Sequence, residues 1–146
     1  MFCQNLEISL NIAYMHANQK KHQYITVEHL LLSLLDNPDT IEILLAFNVN
    51  INRLRDSLSK HIDTDSKKLS AKSKAETQPR IDFQRVMQRA IFQVQSSGQF
   101  EVNGGNVLIS IFNEPNSQAC ILLNQEGITR LDAINYLINK KNSSSL

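Results

Sequence analysis

Few residues of this chain are of a type that could do chemistry, and their spacing limits what chemistry is open to them. There are four histidines (His16, His22, His29 and His61) and two cysteines (Cys3 and Cys120). No two histidines stand at i, i+4, and neither HExxH nor CxxC occurs, so the familiar zinc spacings are missing. His22, His61 and Asp63 could share a surface cation if the first and fourth helices of the first half touch; adventitious binding is the expectation there. Gly104-Gly105 opens an apolar run, where free N–H groups can meet an anion. No GxxxxGK[ST] accompanies it, and close packing or a tight turn is the simpler account. Ser33 and Ser110 lie within apolar runs and read as small packing residues. No catalytic, cofactor-binding or metal set emerges.

The elements that carry these residues come in two copies. Residues 6–62 and 83–139 superimpose at a constant offset of 77. Leu6 matches Phe83, Leu10 matches Met87 and Ala13 matches Ala90. Leu31-Leu32-Ser33-Leu34-Leu35 matches Leu108-Ile109-Ser110-Ile111-Phe112. Further on, Pro38 matches Pro115, Leu45 matches Leu122 and Leu54 matches Leu131. Apolar positions recur while polar ones drift, as expected when two units keep the same buried face.

Each copy reads as four helices. Phe83, Val86, Met87, Ala90, Ile91 and Val94 form one stripe, with Asp82 as the expected N-cap and Gly98 as the left-handed stop. The matching helix spans about Leu6 to Lys20. Its second stripe, Ile8, Ile12 and Met15, predicts burial on more than one side. Thr26 and Asn103 should cap the second helices. The third begins at Asp39 with Glu42 three residues on, and the fourth near Asn50 and Thr129. Gly127 should close the third helix of copy two, with Asn50 in its place in copy one. The expected fold is all-α, two pseudo-symmetric four-helix repeats packed into one bundle. Repeat one covers 1–62, a flexible linker 63–81, repeat two 82–140 and the start of a tether 141–146. The linker lysines Lys67, Lys68, Lys72 and Lys74 read as solubilising.

Composition narrows the classes. A net charge of +1 gives no concentrated basic face for nucleic acid. The N-terminus lacks the charge and apolar pattern of a signal peptide, and no apolar run approaches the ~20 residues of a membrane span. A soluble, cytoplasmic monomer with reduced thiols is expected.

Three stretches carry a resemblance. Tyr24-Ile25-Thr26-Val27-Glu28-His29-Leu30-Leu31-Leu32-Ser33-Leu34-Leu35 resembles the signature of Clp repeat N-terminal domains. Phe83-Gln84-Arg85-Val86-Met87-Gln88-Arg89-Ala90 with Val94-Gln95-Ser96-Ser97-Gly98 is similar to the ClpA branch more than to ClpB or ClpC. The opening Leu6-Glu7-Ile8-Ser9-Leu10-Asn11 and the linker end Thr77-Gln78-Pro79 agree.

The resemblance implies a non-catalytic docking domain of an ATP-dependent unfoldase. It needs no cofactor of its own, since ATP and magnesium belong to AAA+ modules absent from this chain. It implies the adaptor ClpS and protein substrates with N-degrons as partners, and a parent hexamer working with the protease ClpP. The family's adaptor surface maps onto Gln23, Glu28, Arg80 and Arg85. Gln23 replaces an acid and Arg80 a small polar residue, so altered charge pairing is expected. The alternatives are direct contact with unfolded polypeptide, as in a ClpB-type disaggregase or ClpC-type unfoldase, and a stand-alone enzyme on a helical repeat.

Overall fold

The computed structural model describes residues 1–70 and 74–144. Its first half holds α1 (Gln4–Gln19), the two-residue strand β1 (Tyr24–Ile25), α2 (Val27–Leu34), α3 (Pro38–Ala46) and α4 (Ile51–Asp65). Its second half holds β2 (Gln78–Pro79), α5 (Ile81–Ser96), α6 (Gly104–Ile111), α7 (Gln118–Gln125) and α8 (Arg130–Ser144). The all-α double repeat is thus the observed architecture.

The middle of the bundle is built from two short, almost wholly apolar helices, α2 and α6. Every residue of α2 except Leu32 is buried, and every residue of α6 except Asn106. Such helices have no face left for water and hold together only by what surrounds them. Both start with a reciprocal cap. Thr26 Oγ1 accepts from His29 N–H while His29 Nδ1 accepts from Thr26 N–H. Asn103 and Asn106 exchange the same pair of bonds. This is the capping-box geometry with unusual residues at the third position.

The halves interlock rather than sit side by side. β1 pairs in parallel with β2, which leads into α5 of the other half. The pseudo-symmetric partner is the Phe2–Val102 bridge, where the lead-in to α1 pairs with the segment before α6. Each half therefore lends its opening strand to the other.

The internal match has a gap. Through the second helices the offset of 77 holds: Lys21 and Gly98 both take positive φ, at 56° and 76°. Beyond them it becomes 79, as Asn48 and Gly127 show with φ of 57° and 90°. Copy two gains two residues in the turn around Pro115-Asn116. This corrects the matches of Leu45 with Leu122 and Leu54 with Leu131: Leu54 is buried, Leu131 is exposed, and Ala133 takes the core place. It also corrects Asn50 as a helix stop. Asn50 instead caps α4, its side chain accepting from Arg53 N–H at 3.0 Å. We expect Asn50→Ala to cost about 1 kcal/mol in chemical denaturation.

Other element ends differ from expectation for local reasons. Asn37, not Asp39, caps α3, because Pro38 at the first helical position has no N–H to satisfy. Glu42 reaches Lys140 instead of the cap. α5 starts at Ile81, as soon as Arg80 N–H has bonded Ile25 O; Asp82 sits inside its first turn. The stripe Ile8, Ile12, Met15 is not buried but about half exposed, since α1 turns inward the other face, carrying Leu6, Ser9, Ala13 and Ala17 with Leu10 and Tyr14 beside them.

The segment expected as a flexible linker is tied at both ends. α4 runs on to Asp65. Gln23 N–H bonds Lys67 O at 2.7 Å, and Leu69 N–H bonds Lys21 O at 2.7 Å. Thr77 Oγ1 donates to His22 O at 2.6 Å before β2 begins. Main-chain pairing replaces the apolar burial this stretch lacks. Lys72 lies outside the described residues. At the far end, the helical backbone of α8 extends to Ser144 where a tether was expected from 141; Ser145 and Leu146 lie outside the described residues.

Candidate docking surface

The Thr26 cap starts α2 so that Glu28 stands in its first turn, almost fully buried. Its Oε2 accepts from Ala119 N–H, at 3.1 Å, in the opening turn of α7. A carboxylate is favoured there by the open N–H groups of a helix start. Burial nonetheless raises the Glu28 carboxyl above its usual range, opposed by the Ala119 N–H and by His61. Glu28 is therefore a strut between the two halves as well as a surface residue.

Arg80 is held by its backbone bond to Ile25 O at 2.9 Å, and its guanidinium lies 3.8 Å from Asp82. Arg85, about one turn into α5, points across to the turn after α6. Its Nε and Nη2 donate to both oxygens of Glu114, at 3.0 and 2.5 Å. Arg89, one turn on, donates to the same carboxylate at 3.2 Å and to Ser110 O at 3.3 Å. The Arg85 bond is the main reason that the Glu114 carboxyl sits below the normal glutamate range.

Two adjoining depressions share Glu28, His61, Asp65 and Arg80. One, of about 640 Å³, is walled by Tyr24, Ile81 and Gln84. The other, about 400 Å³, continues to Arg85, Glu114 and Gln118. Three of the four expected residues, Glu28, Arg80 and Arg85, thus line one continuous surface. Gln23 lines neither depression. It sits behind Tyr24, with its N–H on Lys67 O, its C=O taking Gln78 N–H at 3.1 Å and its side chain 3.4 Å from the Tyr24 hydroxyl. The sequence marks neither Asp65 nor Glu114 as part of this surface and offers His61 only as a cation ligand; they arrive from α4 and from the turn after α6. For Glu114 a signal did exist: Arg85 and Arg89 stand where copy one has Ile8 and Ile12.

The other sequence candidates resolve structurally. His22 does not face His61. Its Nδ1 lies 2.9 Å from His29 Nε2, inside the fold, while His61 pairs with Asp65 at 3.1 Å and Asp63 with Lys20 at 2.7 Å. Among the described residues no group of three or more His, Cys, Asp or Glu could hold a metal. Gly104 is pressed against Asn37 and Thr40. Ser33 and Ser110 donate to Leu30 O and Val86 O. No described helix is long and apolar enough to cross a membrane.

The model of the Clp repeat (R) N-terminal domain matches residues 1–126. The chain belongs to the Clp repeat N-terminal domain family. A ClpA homolog protein of Fuscovulum blasticum is 41% identical over 137 residues, covering 93% of this chain and 17% of that protein. The chain therefore spans about a sixth of that relative's length. The Hsp104 N-terminal domain from Candida albicans superimposes with a TM-score of 0.81 at 13% identity, over 97% of this chain and 92% of that one. A ClpV N-domain in complex with a VipB peptide superimposes with a TM-score of 0.71 at 20% identity, over 90% and 81%. At those identities the likeness speaks for the fold alone. Clp repeat N-terminal domains are non-catalytic substrate- and adaptor-binding modules without a cofactor of their own, and this chain is one of them.

Proposed function

We propose that this Clp repeat N-terminal domain docks a ClpS-type adaptor on the surface formed by Glu28, Arg80 and Arg85 with Gln23 at its edge. In this reading the adaptor delivers N-degron substrates to a ClpA-type hexamer that feeds the protease ClpP, in the cytoplasm. The observation that supports it is the meeting on one open surface of Glu28, from α2, with Arg80 and Arg85, from the cap and second turn of α5. A mobile tethered receptor of this kind works by raising the local concentration of cargo near an entry channel. Arg80 and Arg85 stand there among the carboxylates of Glu28, Asp65, Asp82 and Glu114, so the surface suits an adaptor face that sets acceptors against the two guanidinium groups.

Calorimetry of the domain with ClpS tests this. A 1:1 complex at micromolar concentration is expected, and Arg85→Ala should weaken it at least tenfold. Silence at micromolar concentrations, or indifference to Arg85→Ala, would count against the reading. A second reading, direct contact with unfolded polypeptide, is favoured by the half-exposed Ile8, Ile12 and Met15 on α1. It predicts that Ile8→Ser with Ile12→Ser lowers binding of an unfolded model protein and leaves ClpS binding intact.

A further inference from the structure

Two equivalent positions in this molecule solve the same structural problem differently. Asn37 and Glu114 each end the turn after the central helix of their copy. Asn37 N–H bonds Leu34 O and Glu114 N–H bonds Ile111 O, both at 3.0 Å. In copy one the side chain of Asn37 is wholly structural. Its Oδ1 accepts from Asp39 and Thr40 N–H, and its Nδ2 donates to Asn5 O and Ser9 Oγ. The α1 residues at the places of Arg85 and Arg89 are Ile8 and Ile12.

Copy two departs on every count. Its turn is two residues longer, so the cap of α7 passes to Ser117, whose Oγ accepts from Cys120 N–H at 3.1 Å. Glu114 is thereby released from capping. It is 8% exposed and takes guanidinium bonds from both arginines. A carboxylate is not the only way to close such a turn, since copy one closes its own with a neutral Asn bonded to Asn5 O and Ser9 Oγ. Nor do nearly buried ion pairs generally add stability over apolar replacements. The arrangement calls for a reason outside folding.

Its geometry supplies one. The carboxylate engages Arg85 along the Nε–Nη2 side. A guanidinium held that way keeps its Nη1–Nη2 end free to donate. The Arg85 side chain is half exposed, lines the docking surface, and makes no hydrogen bond through Nη1 among the described residues. We propose that Glu114, steadied by Arg89, is a positioning residue that presets the outer edge of Arg85 as a two-donor receptor for an acceptor group on the docked adaptor. Holding a long side chain in place before binding removes rotamer freedom that docking would otherwise have to freeze. This inference rests on the docking reading above.

The test is a binding cycle with ClpS on the whole domain, read by calorimetry, with the Arg85 Nε–H followed by NMR. Glu114→Gln should weaken binding about tenfold, and combining it with Arg85→Ala should be no worse than Arg85→Ala alone. The Arg85 Nε–H should be slow to exchange in the parent and fast in Glu114→Gln, while backbone amides of α5 and α6 keep their shifts. Glu114→Asp should restore part of the affinity. Should Glu114→Gln fail to fold, Glu114→Asn takes its place, as it borrows the residue copy one uses. Binding within twofold of the parent, or losses that simply add in the double variant, would overturn the positioning role and leave docking standing. A parent domain that ignores ClpS would overturn both. An Arg85 Nε–H that exchanges as fast as in free arginine would overturn the positioning role on its own.

Discussion

Gly104→Ala is expected to destabilise the domain by about 3 kcal/mol, at the upper end of the usual overpacking range. Gly104 opens α6 against the start of α3. A Cβ there would lie 2.2 Å from Asn37 Oδ1, 2.6 Å from its Cγ and 2.9 Å from Thr40 Oγ1. Asn37 cannot swing aside cheaply, because it is buried and both ends of its amide are bonded. Moving it would strand the first N–H groups of α3 and the Ser9 hydroxyl. Loss of buried partners of that kind adds to the steric cost. For a domain of this size the shift in melting temperature is about 10 °C. Thermal unfolding of Gly104→Ala beside Gly98→Ala reads it, because a Cβ at Gly98 meets nothing. The second variant bears only the backbone cost of a positive φ at 76°. Equal melting points for the two would remove the close-packing account.

Acid is expected to weaken the fold well before the ion-paired carboxylates titrate. His29 Nδ1 faces the Thr26 N–H at 3.0 Å, which can only donate, so Nδ1 must accept. The His29 proton therefore sits on Nε2 and points at His22 Nδ1, 2.9 Å away. That in turn places the His22 proton on Nε2, which is buried with no partner among the described residues. Protonating either ring would set two donors face to face. Burial first, then His22, His16 and Lys20, hold His29 down to about 3. Burial lowers His22 and His16 too, with Lys20 opposing their protonation and Asp63 favouring it; Lys68 also disfavours it at His22.

The sign follows from linkage. Above pH 6.5 neither folded nor unfolded chain is protonated at His29, so it contributes nothing. Below 6.5 the unfolded chain gains a proton that the native site refuses, and stability falls until the pH reaches the native value near 3. At pH 5 the loss from His29 alone is about 2 kcal/mol. Glu114, Glu126 and Asp63, held below their usual ranges by Arg85, Arg53 and Lys20 respectively, lose their contribution only under stronger acid. Urea unfolding at pH 7 and pH 5 separates the two regimes. His29→Gln, which keeps a capping-box side chain without the titration, should cut the difference to less than half. A parent domain equally stable at both values would refute the neutral pairing.

How far the sequence could be read depended on whether an interaction is local. Repeating apolar stripes, the caps Thr26 and Asn103, and the stop at Gly98 all act within a turn or two of themselves, so spacing alone reveals them. The two-residue shift after the second helices escaped notice because Leu-rich stretches match at several registers. Only the left-handed Asn48 and Gly127, and the exposure of Leu131, show which register holds. Ile8, Ile12 and Met15 carry the pattern of a buried face, yet among the described residues they stay about half exposed. Periodicity reports the wish for a partner and not its presence. The site divides the same way. Residue types and a family motif pointed to Gln23, Glu28, Arg80 and Arg85, one stretch at a time. That Glu28 braces α7 was decided by how the halves interlock, and that Gln23 stands aside and Glu114 comes back to grip Arg85 by how the elements within each half and between them pack. Those contacts join residues 29 to 91 positions apart, and their energy comes from desolvation and geometry that exist only once the chain has closed.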